Sequence, residues 1–71
     1  MMNKEKIEYL VKTFPKGCRV KLIKMDDPQA PPIGTNGTVI GVDGLGSLIV
    51  SWDNGSHLNV VYGEDIVQRI Y

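Results

Sequence analysis

Cysteine, histidine and net charge are the scarce things in this chain of 71 residues. One cysteine, Cys18, excludes an internal disulfide, the usual staple of small secreted domains. One histidine, His57, leaves a metal site or a catalytic triad short of partners. Eight Lys+Arg against eight Asp+Glu give a formal net charge of zero, which weighs against a module that draws its affinity from neutralising phosphates. No apolar run approaches the roughly 20 residues of a membrane span. The opening M-M-N-K-E-K-I-E-Y-L carries charge at four of its first eight positions, where a signal peptide has its apolar core. These absences predict a soluble cytoplasmic protein with no membrane contact. There is no internal repeat, and low complexity is confined to one proline-rich stretch.

What remains is a small domain. Chains of this size bury only ~60% of the surface they expose when unfolded. Stability is therefore expected to be modest, and with no disulfide available, association into a homo-oligomer is the remaining supplement. A single domain is expected over residues 1–71, with an N-terminal helix over 3–14 and a β-barrel over 17–71.

The periodicity supports that division. Ile7, Leu10, Val11 and Phe14 follow the spacing of one helical face, Asn3 is placed to cap the start, and Pro15 stops the helix by pushing its predecessor out of the α region. After Gly17 the period becomes two. Cys18, Val20 and Leu22 turn to one side and Arg19, Lys21 and Ile23 to the other, a strand with one buried face. The stretch from Met25 to Asn36 carries Pro28, Pro31 and Pro32 and is read as a long, stiff, partly polyproline-like loop. Further strands are predicted from Gly37 to Asp43, Ser47 to Trp52, Ser56 to Tyr62 and Ile66 to Ile70, with D-G-L-G and Gly63-Glu64-Asp65 as turns.

One hairpin can be argued to its register. Leu48, Val50 and Trp52 must share a face with Leu58, Val60 and Tyr62 if both strands bury their apolar residues. A two-residue Asn54-Gly55 turn would set them on opposite faces. A three-residue loop, Asp53-Asn54-Gly55, pairs Trp52 with Ser56, Val50 with Leu58 and Leu48 with Val60, and requires a left-handed Gly55. The same alternation sends Ile23, Ile49, Val61 and either Ile40 or Val39 to the outside, where the helix is expected to dock, or to leave an oligomer or partner surface. The element order predicts a mainly β fold, a small SH3-like five-stranded barrel with an N-terminal α-helix.

The run F-P-K-G-x-R-V-x-L-I-K-M-D-D-P-x-x-P-P-I-G-T-x-G-T-V, followed by V-D-G-x-G-S-L and S-W-D-N-G-S-x-L-N-V-V-Y-G, resembles a family of very small proteins from bacteria, phages and mobile elements that is catalogued as a domain of unknown function. The resemblance covers Phe14 to about Val67. It implies a phage or mobile-element context and a cytoplasmic protein, and supplies no catalytic or binding residues. More distantly, G-T-x-G-T-V and V-S-W-D-N-G resemble strands of Tudor-like and KOW-like barrels, a likeness of fold.

The candidate chemistries are few. Cys18 alternates toward the core as a small hydrophobe. His57 faces solvent without an orienting neighbour. Asp26, Asp27, Asp43, Asp53, Glu64 and Asp65 match no cation-binding loop, and turn formation explains Asp43 and Asp53. No metal, cofactor or enzymatic activity is expected. The reading is a non-enzymatic binding module from a phage or mobile element that binds a host or phage protein stoichiometrically, with an anti-defence role as one outcome. Its expected contact residues are those of the loop, Met25, Asp26, Asp27, Pro31, Pro32 and Ile33, preorganised by proline, with Trp52 and Tyr62 if their rings are exposed. The competing reading of the loop is a barrel cover plugged by Met25 and Ile33. An alternative is an oligomeric sponge for a small anionic nucleotide, using Arg19, Lys21, Lys24 and the amides of Gly34, Thr35, Asn36 and Gly37. A KOW-like RNA- or DNA-binding module is a third reading, disfavoured by the charge balance.

Overall fold

The computed structural model describes residues 4–70. The elements are α1 (Lys4–Thr13), β1 (Arg19–Lys24), β2 (Asn36–Val42), β3 (Ser47–Trp52), β4 (Val60–Val61) and β5 (Ile66–Arg69). All strand pairings in the sheet are antiparallel and the order is β4-β3-β2-β1-β5. The fold is mainly β with an N-terminal helix, as the sequence predicts. The sheet has the order of an SH3-like barrel but does not close: β4 and β5 are both edges, and a seam opens between them.

Strand faces follow the predicted alternation through the first three strands, but Tyr62, expected on the core face with Leu58 and Val60, is exposed, because the fourth strand ends at Val61 and the chain turns there. Cys18, Val20 and Leu22 of the first strand segment are buried with Val39, Leu48, Val50, Trp52 and Val60 in one core. Val39 points inward, so Ile40 is the outward member of that pair, at a bulge where the register shifts between Val39 and Gly41. The Asp53-Asn54-Gly55 loop forms as argued: Gly55 sits at φ +91°, its N–H donates to the Trp52 carbonyl at 3.0 Å, and Leu48 pairs with Val60. The fourth strand is much shorter than predicted. The Trp52 indole N–H donates to the Leu58 carbonyl at 2.9 Å, and the Ser56 N–H donates to Asn54 Oδ1 at 3.0 Å. Side chains thus take backbone groups of 56–58 that a ladder would need, so the expected Val50–Leu58 pair does not form.

The helix docks differently from expectation. Leu10 is completely buried in the core and Ile7 and Phe14 are half-buried, but Val11 is exposed. At 3.6 residues per turn, Ile7 and Phe14 lie within about 60° of Leu10, whereas Val11 lies about 100° away, at the margin of the stripe. The helix therefore presses Leu10 into the core from the open side of the sheet and leaves Ile23, Ile40 and Val61 exposed on the outer face. The expected cap Asn3 lies outside the described residues.

Candidate functional site

The seam between β4 and β5 holds a cleft of about 370 Å³. Its walls are Leu10 and Phe14 from the helix side, Leu48 and Val60 from the sheet, and Ile66 and Val67 from β5. Tyr9 and Tyr62 stand at its rim with ring centroids 5.6 Å apart, tilted by 59°, in the range of favourable aromatic pairing. Lys6 extends over Gly46 of the β2–β3 turn and sets its ammonium 5.4 Å from the centre of the Tyr62 ring, a cation–π distance. Farther along, the Arg69 guanidinium donates to the Thr13 carbonyl at the end of α1, at 3.3 Å. The helix is thereby tied to both lips of the seam while the cleft between them stays open.

A smaller groove adjoins it. Met25, Asp26 and Asp27 of the proline-rich loop face Leu58, Asn59, Val61 and the turn residues Glu64 and Asp65. Asp65 lines both cavities. Its carboxylate accepts the Val61 N–H at 2.8 Å, and the Asp27 carboxylate accepts the Gln29 N–H at 2.8 Å, so both are held by local backbone. Lys24 reaches Asp26 only at 4.0 Å, in the open. Among the described residues no three His, Cys, Asp or Glu side chains converge as metal ligands would.

The structure divides the predicted contact residues. Asp26, Asp27, Pro32 and Ile33 are exposed, Ile33 where the loop rejoins the sheet, and Tyr62 is exposed at the cleft. Met25, Pro31 and Trp52 are buried and unavailable to a partner. Met25 packs into the core, so one half of the barrel-cover reading holds and Ile33 does not share it. The loop is folded on itself, with the Ala30 N–H donating to Asp27 and the Thr35 N–H to Pro32, and its end is tied to β1 by the Gly34 N–H donating to Leu22.

These bonds also bear on the groups read as an anion site. The Gly34 and Thr35 amides are already donating to carbonyls, and the Gly37 backbone lies against Val50 and Trp52 in the interior. Arg19 forks onto Asp53, with Nη1 to Oδ1 at 2.8 Å, and Nη1 also donates to Thr38 at 3.0 Å. The hydrogen bond from Arg19 holds the Asp53 carboxyl below its ordinary value and raises Arg19 in turn. Lys21 pairs across the sheet with Asn36, and Lys24 is exposed at the strand end. Of this set the structure brings Lys21 to Gly34, its Cε 4.0 Å from where a Cβ would stand, while Arg19 and the Gly34 and Thr35 amides are engaged elsewhere.

The remaining candidates are spent on structure. Cys18 is buried, and burial pushes its thiol above the ordinary value, away from a reactive thiolate. Asp43 accepts the N–H groups of Leu45 and Ser47, each at 2.9 Å, which is the turn role read from its position. His57 is exposed. The seam cleft itself escaped the sequence reading. Its one legible sign was Tyr9 beside Leu10, since an aromatic residue flanking the buried stripe of a helix has to lie along the helix margin.

Among the described residues no helix is long and apolar enough to cross a membrane. No curated protein and no solved structure matches the chain. A family match runs over residues 3–70, nearly the whole chain, and it agrees with the resemblance carried by the F-P-K-G and S-W-D-N-G runs. The chain belongs to the family described as Domain of unknown function (DUF4314).

Proposed function

We propose that this chain is a non-enzymatic protein-binding module, cytoplasmic in location, and that the seam cleft with its tyrosine rim is its contact site. One observation carries the reading. An apolar cleft opens directly onto the core between Leu10, Val60 and Val67, and two half-exposed tyrosines flank it beside a row of carboxylates. Partly exposed aromatic anchors over an apolar recess are the composition of interface hot spots. A helical segment tied at both lips supplies a preformed wall, which lowers the ordering cost of binding.

The resemblance to proteins of phages and mobile elements supports a host or phage factor as the partner. Stoichiometric occupation of that factor, with blunting of a host defence as its consequence, is the role proposed. The experiment compares wild-type chain with Tyr62→Ala and Ile33→Ala in quantitative affinity capture from phage-infected cells. The expected result is one protein retained in fixed ratio to the chain, lost at least tenfold with Tyr62→Ala and unaffected by Ile33→Ala. Loss with Ile33→Ala alone moves the site to the proline-rich loop; equal retention by all three refutes the cleft.

A further inference from the structure

The sheet has two outer edges, and one of them is sealed. Along β4 the Val61 N–H donates to Asp65 Oδ2 at 2.8 Å, and the Val61 carbonyl accepts from the N–H groups of Glu64 and Asp65. Along β5 the pattern is different. The Ile70 N–H donates to the Arg19 carbonyl at 2.8 Å, and the register sets Val67 opposite Leu22. Leu22 spends its own N–H on Thr35 and its carbonyl on Gly34, both on the other side of β1. Antiparallel alternation therefore turns the Val67 N–H and C=O off the outer edge of β5. Val67 and Ile66 are at the same time a wall of the apolar cleft, which runs on to Asp65 and so to the groove of Asp26, Asp27 and Glu64.

We infer that β5 accepts an extended segment of a partner protein as an added antiparallel strand at Val67. The apolar side chains of that segment enter the cleft, and Lys or Arg residues following them reach Asp65, Glu64, Asp26 and Asp27. The inference rests on the protein-binding reading above and names the chemistry of the partner. An edge of unpaired backbone groups is a template for another strand, and strand addition combines main-chain hydrogen bonds with pockets for alternate side chains. An antiparallel segment runs from the Arg69 end of β5 toward the Ile66 end, so its C-terminal residues arrive over the carboxylates. That fixes the order of the recognised sequence: alternating apolar positions first, basic positions after them.

The test is a nuclear magnetic resonance titration of the full chain with acetyl-Val-Thr-Val-Thr-Lys-Lys-amide. The expected outcome is that Val67 and its neighbours show the largest amide shifts and that the Val67 amide becomes protected from hydrogen exchange. N-methylation of every second peptide nitrogen should weaken binding at least tenfold in one phase and leave it within twofold in the other. Exchanging the two lysines for glutamates should weaken binding at least tenfold at low salt. Val67→Pro removes the outward N–H without touching the β1 ladder, and should lose the peptide while keeping its fold; should that variant not fold, the methylated peptides decide alone. Binding indifferent to methylation, no shift at Val67 with millimolar peptide, or Val67 protected by self-association without peptide would each overturn the inference. If the peptide fails while Tyr62→Ala still abolishes capture of the cellular partner, strand addition falls and the binding reading stands.

Discussion

Replacing Gly37 with alanine separates a packing role from an anion-binding one. A Cβ at Gly37 would stand 2.7 Å from Val50 Cγ1, 2.8 Å from Trp52 Cε3 and 3.1 Å from the Ser51 carbonyl oxygen. Both side chains are buried to within 2% of completely, so neither has room to retreat without moving the core. Overpacking of this kind costs about 1–3 kcal/mol. At about 0.05–0.15 kcal/mol per residue a chain of 71 residues has roughly 4–11 kcal/mol in total. In a domain of this size each kcal/mol moves the midpoint by about 4–8 °C, so Gly37→Ala should lower Tm by roughly 4–24 °C. The internal control is Gly41→Ala in the same strand, where nothing lies within 4 Å of the added atom. Surface changes free of such contacts stay within about 0.5 kcal/mol. Thermal melts followed by circular dichroism decide it: if the two variants melt together, the close approach of β2 to β3 is not what requires glycine there, and the reasoning fails.

Two further predictions address the helix and the ion pair. Leu10→Ala removes the one fully buried helical side chain and should cost about 2–5 kcal/mol, with helix amides exchanging faster than those of β1 to β3. A loss under about 1 kcal/mol would mean that α1 is not held through Leu10. Because Arg19 lowers the Asp53 carboxyl, the pair's contribution is fully present above the unfolded carboxylate range near pH 4 and is lost as pH falls through the lower folded value. Wild type should therefore exceed Asp53→Asn in denaturant midpoint at pH 7 by a small, solvent-screened margin that shrinks as acid protonates the carboxyl; a margin independent of pH would contradict the assignment.

The local chemistry of this chain is legible residue by residue. Alternation placed Cys18, Val20 and Leu22 inside, because a strand has a strict period of two. The demand that Leu48 and Val60 share a face selected a three-residue loop and a left-handed Gly55, both of which form. Asp43 was legible as a turn residue because its carboxylate satisfies nearby amides. The site was harder. The prolines pointed to the loop as the contact surface, yet Met25 and Pro31 are buried there, because a stiff loop can be held against the core as readily as presented to solvent. The glycines suggested an anion cradle, yet the Gly34 amide is spent on the Leu22 carbonyl of β1 and the Thr35 amide on Pro32.

The faces of the first three strands, the turns, and the helix with its end follow from the sequence alone, since periodicity, proline and glycine act over a few neighbouring residues. Tertiary structure decided that the sheet stays open, that α1 lies across the opening and that the fourth strand stops at two residues. The first two outcomes depend on contacts between distant segments, Tyr9 with Tyr62 and Thr13 with Arg69, and the third on the Trp52 indole taking the Leu58 carbonyl across the hairpin. No local pattern encodes which of several competing partners a backbone group or ring will find once the chain is compact. The cleft exists because the Tyr9–Tyr62 and Thr13–Arg69 contacts tie the helix to both sides of the seam without filling the space between them.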